Sequence, residues 1–448
     1  MISQENKQAM IDDLISILQI KSVIDEENGD RPFGNGIDMA LKQMLLISER
    51  LGFKTYYDPK GYYGYAEIGE GAELIGILGH VDVVPEGDET LWTFPPYSGT
   101  YLDEKIYGRG AQDDKGPIIA VLYAMKWLLD EGLTLRKRYR FIFGTDEENH
   151  WRGICRYMHE QEVPCCGFTP DSAFPVVFAE KGLLQLKIES KKGVPYHISG
   201  GTSLNAVPES AIYTGDDVVR VSQALKKQGF DFENEGDELI VIGRSAHAAK
   251  PESGINAISR LMLAISDESD LIRFLNERIG LTTNGAYIFG NCRDEVSGRL
   301  TLNVGKIDMS KYGQSVGIDI RFPVTFSKKF ILDAMTRNAE KYHLEITELD
   351  YLAPNFVPVS SELIQNLVGA YEAVTGLDGT PLSTGGATYA RSMKNCVAFG
   401  ARLPGMTALA HQTDEHIAVD QLIACMSIYK EAIKRLNDAP AVCPVTSF

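Results

Sequence analysis

The run GILGHVDVV, residues 76–84, constrains the fold more than any other stretch. Apolar and glycine residues lead without a break into His80-Val81-Asp82. Such a run reads as a buried strand, and it ends in two polar side chains at spacing two. A neutral imidazole is the commonest side-chain metal ligand, and a nearby carboxylate can fix its tautomer. The triplet alone says little, but further acids stand in the same kind of place.

Strand RYRFIFGT (138–145) runs straight into Asp146-Glu147-Glu148, and a short strand near 167–169 runs into Thr169-Pro170-Asp171. The segment YGRGAQDDKGP (107–117) sets Asp113-Asp114 before a helix expected from Pro117 to about 131, since proline suits a first turn. Strands alternating with helices argue for an α/β sheet. The polar residues follow strand ends, where such sheets place their sites. From about 183 the pattern changes, with strands expected at 183–190, 239–243, 299–307, 315–322 and 344–351 and a helix at 326–341. After Pro354 helical spacing resumes at 360–375. The glycine-rich STGGATYAR (383–391), strand NCVAFG (395–400) and a helix at 418–437 follow. The expected domains are therefore 1–182 and 356–448, together one catalytic domain with a central mixed sheet flanked by helices. Residues 183–355 form an inserted α/β lid domain with an antiparallel sheet.

Taken singly, each acid has an ordinary reading. Asp113-Asp114 could cap a helix, Glu147-Glu148 could be a solvated pair, Asp171 a turn residue and His411 a surface histidine. Those readings weaken jointly, because the acids follow apolar strands in equivalent positions. Carboxylates and imidazoles together suit a divalent ion such as zinc, manganese or cobalt. Two such ions bridged by a carboxylate need about five ligands and a base.

Composition narrows the partners. The net charge of −17, from 44 basic and 61 acidic residues, disfavours nucleic acid and anionic membrane. No apolar run reaches the roughly 18 residues of a membrane helix. The opening residues read as an amphipathic helix capped at Ser3, without the layout of a signal peptide. The seven cysteines include no CxxC pair and suggest no disulfide framework, so a reducing cytoplasm is expected.

In order, GHVDVVPEGD, YGRGAQDDKGP, GTDEEN, TPDSAFP and AHQTDEHI resemble the dizinc peptidase family of aminoacylases, carnosinases, glutamate carboxypeptidase and succinyl-diaminopimelate desuccinylase. The resemblance covers nearly the whole chain. Through DDKGP, TPDSAFP and HISGGTSLNAVPESA it is nearest to the PepV-type bacterial dipeptidases. It implies that His80 and Asp171 hold one metal, Glu148 and His411 the other, and that Asp113 bridges both. It also implies that Asp82 orients the His80 ring, that Glu147 is the general base, and that the Asp113–Asp114 peptide is cis. His247 in GRSAHAAKP resembles the histidine that stabilises the oxyanion, and Asn205 in GGTSLNAVP a residue holding the substrate nearby. Arg321 in GIDIRFP resembles the arginine that grips a carboxylate. Gly386, Thr388 and Arg391 would let a glycine-rich loop approach an anion. One departure is Asn149-His150-Trp151, where the family has small residues; His150 reads as a loop residue.

The expectation is thus a two-metal hydrolase that cleaves the amide bond of short peptides, above all dipeptides, using a hydroxide shared by two divalent ions, zinc first. The alternative is an N-acyl amino acid hydrolase or carboxypeptidase on the same site, since one or two pocket residues set that choice. A monomer is expected, with a homodimer as the alternative.

Overall fold

The computed structural model describes residues 2–27, 29–265 and 269–442. The chain divides into two units. One holds the residues up to 178, 356–382 and those from 388 onward; the other holds 179–355 and 383–387. Both mix helices with sheet, in line with the expected α/β class.

In the first unit the sheet runs in the order Lys54–Tyr57, Gly64–Ile68, Arg138–Gly144, Leu74–His80, Cys166–Thr169, Cys396–Ala398. The first three strands pair antiparallel, and the last four pair parallel. Parallel strands are covered on both faces and so read as continuous apolar runs. Ile75, Ile77, Phe141 and Phe143 face the helices Lys115–Asp130 and Val419–Asp438, which pack together. Leu78 and Ile142 face the opposite side, with Tyr157 of helix Arg152–Glu160 and Tyr389. Two strand-end glycines are required by close approach. A Cβ at Gly79 would meet Ile118, and one at Gly144 would meet the ring of Tyr389. Helix Lys115–Asp130 starts two residues before Pro117, which still falls in the first turn where its missing N–H has no intrahelical partner to lose.

The second unit is built on an antiparallel sheet, in the order Phe232–Glu235, Glu238–Ile242, Ser210–Thr214, His197–Gly200, Thr301–Ser310, Gly313–Phe322, Gly182–Ser190, Glu345–Leu352. Its core joins one face of that sheet to helices Val218–Gln228, Ala257–Ala264 and Lys328–Glu340.

Among the described residues no helix is long and apolar enough to cross a membrane. Cys155, Cys166, Cys292 and Cys425 are free thiols. Cys165 is disulfide-bonded, a bond that the absence of a CxxC pair did not foretell. Cys443 lies outside the described residues.

Candidate metal centre

Three parallel strands deliver acids to one place. His80 ends Leu74–His80, Glu147 and Glu148 follow Arg138–Gly144, and Asp171 follows Cys166–Thr169. Asp113 comes from the segment before helix Lys115–Asp130, and the Asp113–Asp114 peptide is cis. His411 comes from the irregular segment between 403 and 415. Two groups of potential ligands result: His80, Glu147 and Asp171, and Asp113, Glu148 and His411, each with ligand atoms within 4.8 Å of one another.

Asp113 touches both groups. Its Oδ1 lies 3.0 Å from His80 Nε2, and its Oδ2 lies 3.1 Å from His411 Nε2. His411 Nε2 is also 3.0 Å from Glu148 Oε1, and His80 Nε2 is 3.7 Å from Asp171 Oδ2. The His80 Nδ1–H donates to the backbone oxygen of Asp82 at 2.9 Å. In the neutral ring Nε2 is then a bare lone pair facing a carboxylate, an arrangement that needs a cation or a proton between them. The Asp82 carboxylate does not carry the ring's hydrogen bond; its Oδ1 is 3.6 Å from Nδ1 and its Oδ2 accepts the Glu148 N–H at 3.1 Å.

The electrostatics agree. Burial raises the Glu148 carboxyl to about 7, helped by the charge of Asp113. Burial likewise raises Glu147 well above the carboxylate range, and raises Asp171, where Asp113 adds to the effect. Burial pulls His80 down, yet Asp113, Asp171 and Asp82 outweigh it and raise the ring well above its usual value. His411 is raised to about 11 by Asp113 and Glu148 against the pull of burial. Asp113 itself is held below the carboxylate range by the two imidazoles, although burial opposes them. So many acids crowded around two imidazoles form a site short of positive charge. Oxygen and imidazole donors without thiolate fit divalent cations of the zinc and manganese kind.

Neighbours frame the cluster. The Tyr389 ring lies edge-on 6.2 Å from His80, and the Trp151 indole N–H donates to the Glu147 carbonyl at 2.7 Å. His150 is exposed and belongs to neither ligand group. A cavity of about 170 Å³ opens beside Asp113 and Asp171, walled by Met406, Ala408, Ala410 and Ile417. Sequence reasoning also passed over Arg109 and Glu415, both buried beside this cluster.

The other expected residues stand apart from these groups in the chain. In the second unit the Ala248 N–H donates to the Asn205 carbonyl, and Ala206 pairs with His247 in a short bridge. These contacts set Asn205 and His247 side by side, both exposed. The Ala249 N–H donates to His247 Nδ1 at 3.0 Å, so the neutral ring carries its proton on Nε2, the donor an oxyanion needs. Buried Asn303, which the sequence did not single out, donates to the carbonyls of Leu204 and Ala206 at 3.1 and 2.8 Å and so brackets Asn205.

Arg321 is buried. Its Nε and Nη2 donate to Asp319 at 2.7 and 3.0 Å, and its Nη1 donates to the Gly385 carbonyl. With five N–H groups on a guanidinium, these three bonds leave two for another acceptor. Gly386 N–H is taken by Thr384 Oγ1, and Thr388 caps the short helix that contains Arg391.

Comparison with known proteins follows the same line. A protein of Bacillus subtilis (strain 168) named "Putative dipeptidase YtjP" is 36% identical over 96% of this chain and 97% of its own. Among solved structures, the M20 family metallo-carboxypeptidase Sso-CP2 from Sulfolobus solfataricus shares the fold, with a TM-score of 0.63 at 18% identity, over 96% of this chain and 99% of that one. Human carnosine dipeptidase 1 does so with a TM-score of 0.61 at 14% identity, over 97% of each chain. The profile of peptidase family M20/M25/M40 matches residues 76–435. This chain therefore belongs to peptidase family M20/M25/M40, and it is a metal-dependent peptidase.

Proposed function

We propose that the protein is a dipeptidase working with two divalent cations, zinc first among them. The observation that carries the reading is Asp113, one oxygen at each imidazole. His80 and Asp171 would hold one cation, Glu148 and His411 the other, with Asp113 shared. When bound, the cations supply Lewis-acid polarisation of the scissile carbonyl and make water more acidic.

The chain's own residues do the rest. The Asp82 carbonyl holds the His80 ring so that Nε2 points inward. Glu147 takes the proton of the attacking water and passes it to the leaving nitrogen. Its carboxyl is pushed up by burial and by its acidic neighbours, and positive charge placed among those acids would lower it toward a working base. His247 donates from Nε2 to the carbonyl oxygen, with Asn205 beside it. Arg321, its plane fixed by Asp319, offers its two remaining N–H groups to the substrate's terminal carboxylate. Gly386, Thr388 and Arg391 are supporting candidates at the same end of the substrate.

The dipeptide preference draws on the relative's name and on the near-complete overlap of the two chains. We read it as a cytoplasmic monomer: the free thiols of Cys155, Cys166, Cys292 and Cys425 favour that compartment, and the disulfide at Cys165 weighs against it. The test is a panel assay. Chelator-treated protein is restored with zinc, manganese or cobalt and offered free dipeptides and N-acetyl amino acids. Turnover of dipeptides only is the expected result; preference for the N-acetyl compounds would move the protein to the amidohydrolase reading.

A further inference from the structure

The two imidazoles are held in different ways. His80 ends a buried strand, its side chain has no exposure, and its Nδ1 is tied to the Asp82 carbonyl. His411 sits in a segment, 403–415, without helix or strand; its side chain is 49% exposed and its φ is +63°. Secondary structure therefore does not set its position relative to Asp113.

The segment ends in Glu415, a side chain with no exposure. Its Oε2 accepts from Arg109 Nη1 at 2.8 Å and from the Gly110 N–H at 3.0 Å. Its Oε1 accepts from the Gln112 N–H at 2.8 Å and from the Asp113 N–H at 3.3 Å. Arg109 Nη1 also donates to the carbonyl of Gln412, the residue after His411, at 3.1 Å. The Gln112 side chain reaches the same segment, donating to the His416 carbonyl at 2.9 Å and accepting the Leu409 N–H at 3.0 Å.

We propose that Glu415 and Arg109 form a clasp that fixes the spacing between Asp113 and His411, and through it the affinity for the cation those two share with Glu148. Both are positioning residues. The inference rests on the two-cation reading above. One carboxylate holds the backbone on which Asp113 rides, while its own backbone carries the His411 segment. Its charge faces the buried Arg109 guanidinium, with the buried Lys115 side chain also within its field, and that guanidinium returns to the same segment at Gln412. A pair present for stability alone would have no need to grip three N–H groups of one ligand segment, those of Gly110, Gln112 and Asp113, and a carbonyl on the other.

The experiment is calorimetric titration of manganese into chelator-treated full-length protein: wild type, His411→Ala, Glu415→Gln and Gln112→Ala, with a melting temperature for each. Wild type should bind in two steps, one of which His411→Ala removes. Glu415→Gln should weaken that same step by about 10–100-fold and leave the other unchanged. Gln112→Ala should weaken it by less, and raising manganese should restore kcat in both variants. Equal weakening of both steps, in proportion to a lowered melting temperature, would mean general stability and would overturn the clasp. Wild-type affinity in a folded Glu415→Gln would overturn it too. If that variant does not fold, unchanged binding in Gln112→Ala decides against it. Wild type without two steps would overturn the two-cation reading, and the clasp with it.

Discussion

In the first unit the half-buried acids Asp113, Glu147, Glu148 and Asp171 crowd at and beside the ends of parallel strands and repel one another; in the second, Asn205 and His247 are exposed and held by backbone bridges. The acids of the first unit are pushed up by burial and by each other. The second group needs no ion. His247 has its tautomer set by a backbone N–H, and Arg321 has its charge balanced by Asp319. On the proposed function, one unit binds the cations and the other presents neutral donors and a pre-balanced arginine. Cation affinity and substrate affinity should therefore come apart under mutation.

The largest expected effect is from Glu147→Gln, which should lower kcat by about 10²–10⁴-fold with cation content unchanged, as measured by elemental analysis alongside kinetics. Loss of cations in that variant would make Glu147 a ligand and blur its separation from Glu148. Next, His247→Ala should lower kcat by about 10²–10³-fold and leave calorimetric cation affinity at the wild-type value. A joint loss would break the division between the units.

A third prediction concerns pH in the cation-free protein. Glu148 holds its proton up to about 7 in the fold against an ordinary 4.5. The folded state then carries more protons than the unfolded chain over that interval, so stability falls as pH rises from about 4.5 to about 7. His80 and His411, also raised, act in the same sense; their contribution is full below about 6.5 and is lost as pH rises further. Asp113, held low, acts in the opposite sense, but its contribution is already complete above about 4. Melting temperatures measured against pH should show this decline without cations, and saturating manganese should remove it. A flat cation-free profile would deny the crowding of acids.

Asn303→Ala should cost about 1–3 kcal/mol of stability by leaving the Leu204 and Ala206 carbonyls unpaired, and should lower kcat/KM without touching cation binding. The smallest effect belongs to His150→Ala, expected to change neither kinetics nor cation content.

How much of this was legible depended on which force left a mark in the sequence. Strands buried on both faces are uninterrupted apolar runs, so Leu74–His80 and Arg138–Gly144 were readable, along with the acids at their ends. Phe232–Glu235 and His197–Gly200 were not, because they are short, polar and only partly buried. Helix Val218–Gln228 buries only Val221 and Leu225 and leaves little apolar stripe to see. Glu415, four residues after His411 in an irregular segment, looks like a solvated acid; only the fold buries it against Arg109. Asn303 looks like an ordinary polar strand residue until the Leu204 and Ala206 carbonyls appear beside it. The Asp82 carboxylate was assigned the His80 ring, but the backbone oxygen of the same residue does that work; side-chain types do not tell the two apart.

The most direct measurement is anomalous scattering from crystals of the protein soaked in zinc. The account predicts two peaks, one beside His80 and Asp171 and one beside Glu148 and His411, with an Asp113 oxygen on each. A single peak, or none within reach of Asp113, would contradict it.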